Sequence, residues 1–350
     1  MTRILLLAPL WLLSVALAQE PPVTDGPYVF FDGTDLVVRS IVDGKATREV
    51  NPANRKISYA IDGVAKIVAV RKTPHDVPAS ETKGIERLLV ISDVHGHAKG
   101  FVEVLRIHGV VDKALDWSFG KSHLVIVGDL FDRGDRVNEC LWLMYQLDEQ
   151  AAAAGGRVHI VLGNHDDWIL REGNKKYVHK RYEQTSKILE MDYLALYGTD
   201  SVIGRWLRTR NMIEKINDAV YVHGGIDPAL FSKRITVDAL NKEYRAWLAG
   251  KKPEPEMEKL LESLLWYRGF FDDETKRPSQ AEIDRVLGLF DAKQIVVGHT
   301  THKEILAVYE NARVIGVDAG RCELGEALLQ EKGVSYRCKK DGSRVRLTRE

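Results

Sequence analysis

The chain has 350 residues, 50 of them Lys or Arg and 50 Asp or Glu, giving a formal net charge of zero with 45% hydrophobic residues. That length and apolar content suffice for one large core with a small accessory region. The balanced charge excludes a polyanion held by bulk electrostatics, so nucleic acid is not an expected partner.

Taken in order, Met1-Thr2-Arg3, the apolar run from Ile4 to Leu13 and the small residues Ala16-Leu17-Ala18 have the layout of a secretory signal peptide cleaved after Ala18. The run is too short for a stable membrane helix and no later stretch reaches spanning length. An exported protein, periplasmic or secreted and without a membrane span once mature, is therefore expected. Residues 19–84 show no helical periodicity. Short runs such as Tyr28 to Phe31, Leu36 to Ile41 and Lys66 to Val70 are punctuated by Asp32-Gly33, Asp43-Gly44 and Asp62-Gly63, which predicts β-hairpins with tight turns. This accessory β-region is expected to cover an edge of the main core, and the polar, proline-containing stretch from Thr73 to Thr82 to act as a connector.

From residue 85 to 350 the pattern changes to buried strands alternating with helices. Leu88 to Ile91 precedes a helix over Gly100 to Ile107. Leu124 to Val127 precedes a long helix from Val137 to Ala154, stopped by Gly155-Gly156. Val158 to Leu162 follows. Residues 167–218 read as a mostly helical insertion, with the basic run from Lys175 to Tyr182 as a solvated helix face. Val220 to Val222, a mixed helical stretch over 232–291, and Ile295 to Val297 come next, and Val314 to Val317, Ala327 to Leu329 and Val334 to Arg337 read as closing strands. Cys140 is expected to be a buried thiol. Cys322 and Cys338 flank a hairpin in an export-competent chain, and the sequence leaves their pairing open.

Five of the apolar runs end in a glycine-flanked group of Asp, Asn or His: Asp93 and His95; Asp129 and Asp132 with Arg133; Asn164, His165 and Asp166; His223; and His299. In open α/β architectures strand ends gather at one edge, so residues distant in sequence converge. Carboxylate, amide oxygen and imidazole without thiolate suit divalent Mn, Fe or Zn in a reactive site. Even six ligands drawn from these nine side chains exceed the needs of one ion, so two ions sharing a carboxylate are expected.

With their glycines and in this order, Asp93-x-His95-Gly96, Gly128-Asp129-x-x-Asp132-Arg133-Gly134, Gly163-Asn164-His165-Asp166, His223-Gly224-Gly225 and Gly298-His299 resemble the metallophosphoesterase superfamily. The Asp-Arg-Gly ending resembles its phosphoprotein phosphatase type, and Leu265-Trp266-Tyr267-Arg268-Gly269 with Val297-Gly298-His299-Thr300 is similar to the Shewanella-like branch. The resemblance implies an α/β fold, a layered β-sandwich flanked by helices. It also implies one metal held by Asp93, His95 and Asp129 and a second by Asp129, Asn164, His223 and His299. His165 is spared from coordination in that pattern and is left to protonate the leaving oxygen, with Asp132 holding it charged. Arg133 and Arg268 are the expected phosphate clamps, since guanidinium matches two phosphate oxygens at once, and Asn164 also faces substrate. Ser92 and Asp166 depart from the pattern, where Gly and Glu are usual, and His302 falls one residue late for a ligand.

The function that this resemblance implies is hydrolysis of phosphoprotein or phosphopeptide monoesters, phosphotyrosine or phosphoserine/threonine, by a hydroxide bridging two divalent ions. A nucleotide or dinucleoside polyphosphate hydrolase shares the metal site and is the first alternative. A silent binding protein using the N-terminal β-region is the second.

Overall fold

The computed structural model describes residues 22–73, 75–273, 275–320 and 322–347. The expected signal peptide lies outside the described residues. Two six-stranded sheets stack face to face. One has the order Arg344–Arg346, Val334–Cys338, Ala327–Glu331, Arg87–Ile91, His123–Val127, Arg157–Val161, and its last three strands are parallel. The other runs Leu306–Val308, Val314–Gly316, Gln294–Val297, Ala219–Val222, Ile213–Ile216, Glu81–Thr82, with Ala219–Val222, Gln294–Val297 and Val314–Gly316 parallel. Side chains alternate along a strand, and both faces here are apolar. Leu88, Val90, Val125 and Val127 meet Tyr221, Val296 and Ile315 between the sheets, while Leu89, Ile91, Leu124, Ile126, Val220 and Val222 turn outward into a helix-covered layer. Parallel pairing points the carboxyl ends of these strands the same way within each sheet, which is where the chemistry-bearing residues stand.

The helix Val137–Ala153 is buried on every side from Val137 to Leu147. A helix apolar all round needs cover on two faces. One face lies on the sheet. The N-terminal region covers the other: the Pro27 carbonyl accepts from Trp142 Nε1 at 2.8 Å and Asn138 Nδ2 at 3.1 Å, and Tyr59 donates to Gln146 Oε1 at 2.9 Å. That region consists of a three-stranded antiparallel sheet, Asp25–Asp32, Asp35–Val42 and Lys45–Val50, and a hairpin, Lys56–Ile61 and Val64–Ala69. The turns fall at Gly33, Gly44 and Gly63, all at positive φ.

Some expectations are sharpened and others corrected. The N-terminal region covers the core at the outer face of the long helix, and the connector adds an edge strand, with Glu81 and Thr82 pairing beside Lys215 and Ile216. The stretch 167–218 is not only helical, because it ends in the strand Ile213–Ile216. The basic run is no continuous helix face; helix begins at Arg181, and the residues before it form a loop. The closing strands divide between the sheets, Val314–Gly316 joining one and Ala327–Glu331 and Val334–Cys338 the other. Cys322 and Cys338 are both buried free thiols, Cys322 donating to the Ser92 carbonyl at 3.5 Å. Among the described residues no helix is long and apolar enough to cross a membrane.

Candidate metal centre

At the strand ends the backbone turns within one or two residues, and non-glycine residues take up left-handed conformations to do so: Asp93 (φ 52°), His95 (46°), Asp129 (56°), Asp132 (68°), Arg133 (63°) and His299 (64°). Such residues cost about 1–3 kcal/mol each and persist where surrounding contacts hold them. The contacts are visible. His95 N–H donates to the Asp129 carbonyl at 2.9 Å, Gly134 N–H to the His95 carbonyl at 2.8 Å, and Arg133 N–H to the Tyr177 carbonyl at 2.8 Å. Gly163 is required by proximity, since a Cβ there would stand 2.3 Å from Asp129 Oδ1.

The six expected ligands come together. His95 Nδ1 faces the Phe131 carbonyl at 2.7 Å and His223 Nδ1 faces the Val127 carbonyl at 2.8 Å. A carbonyl only accepts, so each Nδ1 carries the proton and each Nε2 turns a lone pair inward. His95 Nε2 is 3.4 Å from Asp129 Oδ2 and 3.9 Å from Asp93 Oδ1. His223 Nε2 is 3.2 Å from Asp129 Oδ1 and 3.0 Å from Asn164 Oδ1. Asp129 thus offers one oxygen to each side. Ligand-capable atoms of His95, Asp129 and His165 lie within 4.8 Å of one another, as do those of Asp129, His223 and His299, and Asp129 belongs to both groups. Asp93 Oδ2 accepts from His299 N–H at 3.1 Å, tying the first ligand segment to the last.

These residues fit divalent cations. Lone pairs facing carboxylate and amide oxygens at about 3 Å repel unless a proton or a cation lies between them. Burial opposes charge on the His223 ring, yet Asp129 overrides it and pushes the ring up to about 10, so without a cation this ring keeps the bridging proton. Burial pushes His95 down to about 3 and holds His299 far below the usual range, so both remain neutral, as metal ligands must be. His299 Nε2 is buried without a hydrogen-bond partner among the described residues. Burial, then Asp318, raises the Asp93 carboxyl well above its usual value, as expected where buried carboxylates crowd together.

At the mouth, a cavity of about 70 Å³ opens among Asp93, Asp129, His165, Arg133 and Arg268. His165 Nδ1 lies 2.6 Å from Asp132 Oδ2, and its Nε2 is 3.3 Å from Arg133 Nη2. Burial raises the Asp132 carboxyl while the His165 contact works against that rise. Arg133 and Arg268 are exposed, and Arg268 is aimed by a 2.6 Å bond from Nη1 to the His299 carbonyl. His302 packs on Phe271, with ring centres 4.4 Å apart.

The roles of three features escaped the sequence reading. Asp166, buried completely, accepts at Oδ2 from Gly163 N–H (2.8 Å) and Asp129 N–H (3.0 Å), and at Oδ1 from Leu130 N–H (2.8 Å) and Phe131 N–H (3.2 Å). One carboxylate therefore holds the whole Gly-Asp turn to the Gly-Asn-His-Asp segment; burial and the neighbouring Asp129 charge push its carboxyl up to about 7. Asp318, at the end of the strand Val314–Gly316, borders the cavity and accepts from Thr301 Oγ1 at 2.5 Å. It ends a sixth apolar run in an acid followed closely by glycine, the signal already used at five others. The third feature is aromatic: Trp168, Tyr177 and Trp266 surround His165 and His299.

Known proteins resemble this chain over most of its length. Residues 86–303 match the calcineurin-like phosphoesterase family. Shewanella-like protein phosphatase 2 of Arabidopsis thaliana is 25% identical over 312 residues, 75% of this chain and 78% of that protein. Shewanella-like protein phosphatase 1 of Plasmodium berghei is 23% identical over 67% of each chain. Among solved structures, the cold-active protein-tyrosine phosphatase of a psychrophilic Shewanella species superposes with a TM-score of 0.85 at 34% identity, over 93% of this chain and all of that one. Since the matched stretch covers more than half of its length and takes in all five ligand-bearing strand ends, this chain belongs to the calcineurin-like phosphoesterase family.

Proposed function

We propose that the protein is a metal-dependent phosphomonoesterase acting on phosphorylated protein or peptide, phosphotyrosine or phosphoserine/threonine. The observation that carries this reading is Asp129, one buried carboxylate shared by two ligand groups beneath a pair of exposed arginines. The likeness to Shewanella-like protein phosphatases and to a protein-tyrosine phosphatase supports the substrate class. Asp93, His95 and Asp129 would hold one cation and Asp129, Asn164, His223 and His299 the other. Two ions of the Mn, Fe or Zn kind, when bound, supply a nucleophilic water and neutralise charge on the phosphoryl oxygens.

The chain's own residues do the rest. Arg133 and Arg268 grip phosphoryl oxygens from the solvent side, with Asn164 contributing its amide. His165, its Nδ1 held by Asp132 at 2.6 Å, is positioned to deliver a proton from Nε2 to the leaving oxygen. His165 Nε2 faces the Arg133 clamp at 3.3 Å, which puts it beside the phosphoryl group the clamp would hold, and this position favours the acid role although its distances also allow ligation. The exported location expected from residues 1–18 belongs to the same reading and is checked by fractionating cells that express the full chain.

The test is turnover of phosphotyrosine peptide, phosphoserine peptide and a dinucleoside tetraphosphate after metal depletion and reloading with single ions. Ion-dependent phosphopeptide hydrolysis is expected. Faster turnover of the dinucleotide overturns the substrate class, and idleness with every ion overturns the enzyme.

A further inference from the structure

The oxygen that His165 protonates is where a leaving group begins, and the surroundings of that ring are aromatic. Trp168 meets His165 edge-on with ring centres 4.7 Å apart, and Tyr177 tilts against it at 5.4 Å. Trp168 and Tyr177 stack on each other at 5.4 Å with 15° between planes. Trp266 lies against Trp168 at 5.0 Å and meets His299 edge-on at 5.7 Å. Tyr177 and Trp266 are 36% and 39% exposed, so these rings are not core; they are apolar surface kept in water beside the cavity. The wall is continuous with the phosphate clamp. The Arg133 guanidinium sits 5.3 Å from the Tyr177 ring centre, and Arg133 N–H donates to the Tyr177 carbonyl. Trp168 also opens a π-helical turn, Trp168–Glu172, a local irregularity that often marks a working surface.

The geometry points to Trp168, Tyr177 and Trp266 as a leaving-group wall that receives the phenyl ring of phosphotyrosine and selects aryl over alkyl phosphomonoesters. This assignment rests on the phosphatase reading and narrows it. With phosphate between Arg133 and Arg268 and the ester oxygen at His165 Nε2, the next atoms of the substrate must lie against the rings bordering His165. In a phosphotyrosine those atoms are a flat aromatic ring, which gains edge or stacking contact with Trp168 and Tyr177. In a phosphoserine they are one methylene and then the peptide backbone, whose polar groups lose water against indole without acquiring a partner. Trp168 and Trp266 supply neither ligand nor proton, so their contribution is read in substrate choice.

The experiment compares kcat/KM on two peptides identical except for phosphotyrosine or phosphoserine at one position, using metal-loaded wild type, Trp168→Leu and Trp168→Phe with metal content measured. Wild type is expected to prefer phosphotyrosine. Trp168→Leu lowers the phosphotyrosine-to-phosphoserine ratio by roughly three- to ten-fold, and Trp168→Phe recovers most of it. Trp266→Leu, at a more exposed position, shifts the ratio the same way and carries the test if Trp168→Leu does not fold. An unchanged ratio, an equal loss on both peptides, or a wild type preferring phosphoserine overturns the wall and leaves the phosphatase reading standing. A fully metallated wild type idle on both peptides overturns that reading, and the wall with it.

Discussion

The two sheets meet at one centre but contribute unequally. The sheet containing Arg87–Ile91, His123–Val127 and Arg157–Val161 sends in Asp93, His95, Asp129, Asp132, Arg133, Asn164 and His165, and five of the six left-handed site residues are on its loops. The other sheet sends His223, His299 and Asp318, with one such residue, His299. The first group is braced internally, through Asp166 and through the Asp129 contacts to His95 and His165. The histidines of the second are aimed by the first: His223 donates to the Val127 carbonyl and His299 N–H to Asp93. The lesson is a hierarchy, in which one sheet's loops make the site and also orient what the other brings.

The hardest test of that hierarchy is Asp129→Asn, which removes a charge seen by both ligand groups. Turnover should fall about 10³-fold with loss of both ions. By contrast, His299→Asn should cost chiefly one ion. Metal analysis of the two purified variants decides; equal metal loss from both would erase the distinction between the sheets, and normal turnover of Asp129→Asn at full metal content would remove the shared carboxylate. Next in size, His165→Asn should slow alkyl phosphates about 10²-fold or more and nitrophenyl phosphate much less, because a good leaving group needs no proton. Equal slowing of the two would reject the acid role.

Asp166→Asn sharpens the comparison on the stability side. An amide has one accepting oxygen, so it cannot satisfy four backbone N–H groups, and its own NH2 would face them. A loss of about 1–3 kcal/mol in urea unfolding is expected, with weakened metal retention. A variant of wild-type stability would show that the Gly-Asp turn holds itself. The smallest effect lies outside both sheets. Burial, with Arg210 and Arg71 nearby, pushes His75 from 6.5 down to about 4. Between those values the unfolded chain binds a proton that the folded chain refuses, so the His75 contribution is complete above pH 6.5 and declines as the pH falls toward 4. Thermal melts at pH 7 and pH 5 should therefore differ less in His75→Leu than in wild type, and an undiminished difference would assign the slope to other groups.

What could be read without a fold was local. An apolar run, a glycine and a polar group within a few residues define a strand end, and this signal located Asp93, Asp129, Asn164, His223 and His299 together with the strands that deliver them. The Asp-Gly turns of the N-terminal region were legible for the same reason. What the sequence could not disclose depended on partners far along the chain. Ile213–Ile216 does not look like a buried strand because Glu214 and Lys215 interrupt it; they are buried because His159 Nδ1 lies 2.5 Å from Glu214 Oε2 and Lys215 Nζ donates to the Phe290 carbonyl at 2.9 Å. Asp166 resembles an ordinary helix-start acid until four backbone amides converge on it. Trp168, Tyr177 and Trp266 share no period, and only the docking of a helix end and a loop around His165 brings them together. Motif chemistry is encoded in neighbours along the chain. The charge balance, bracing and apolar surface around it arise from neighbours in space, and these exist only once the sheets have stacked.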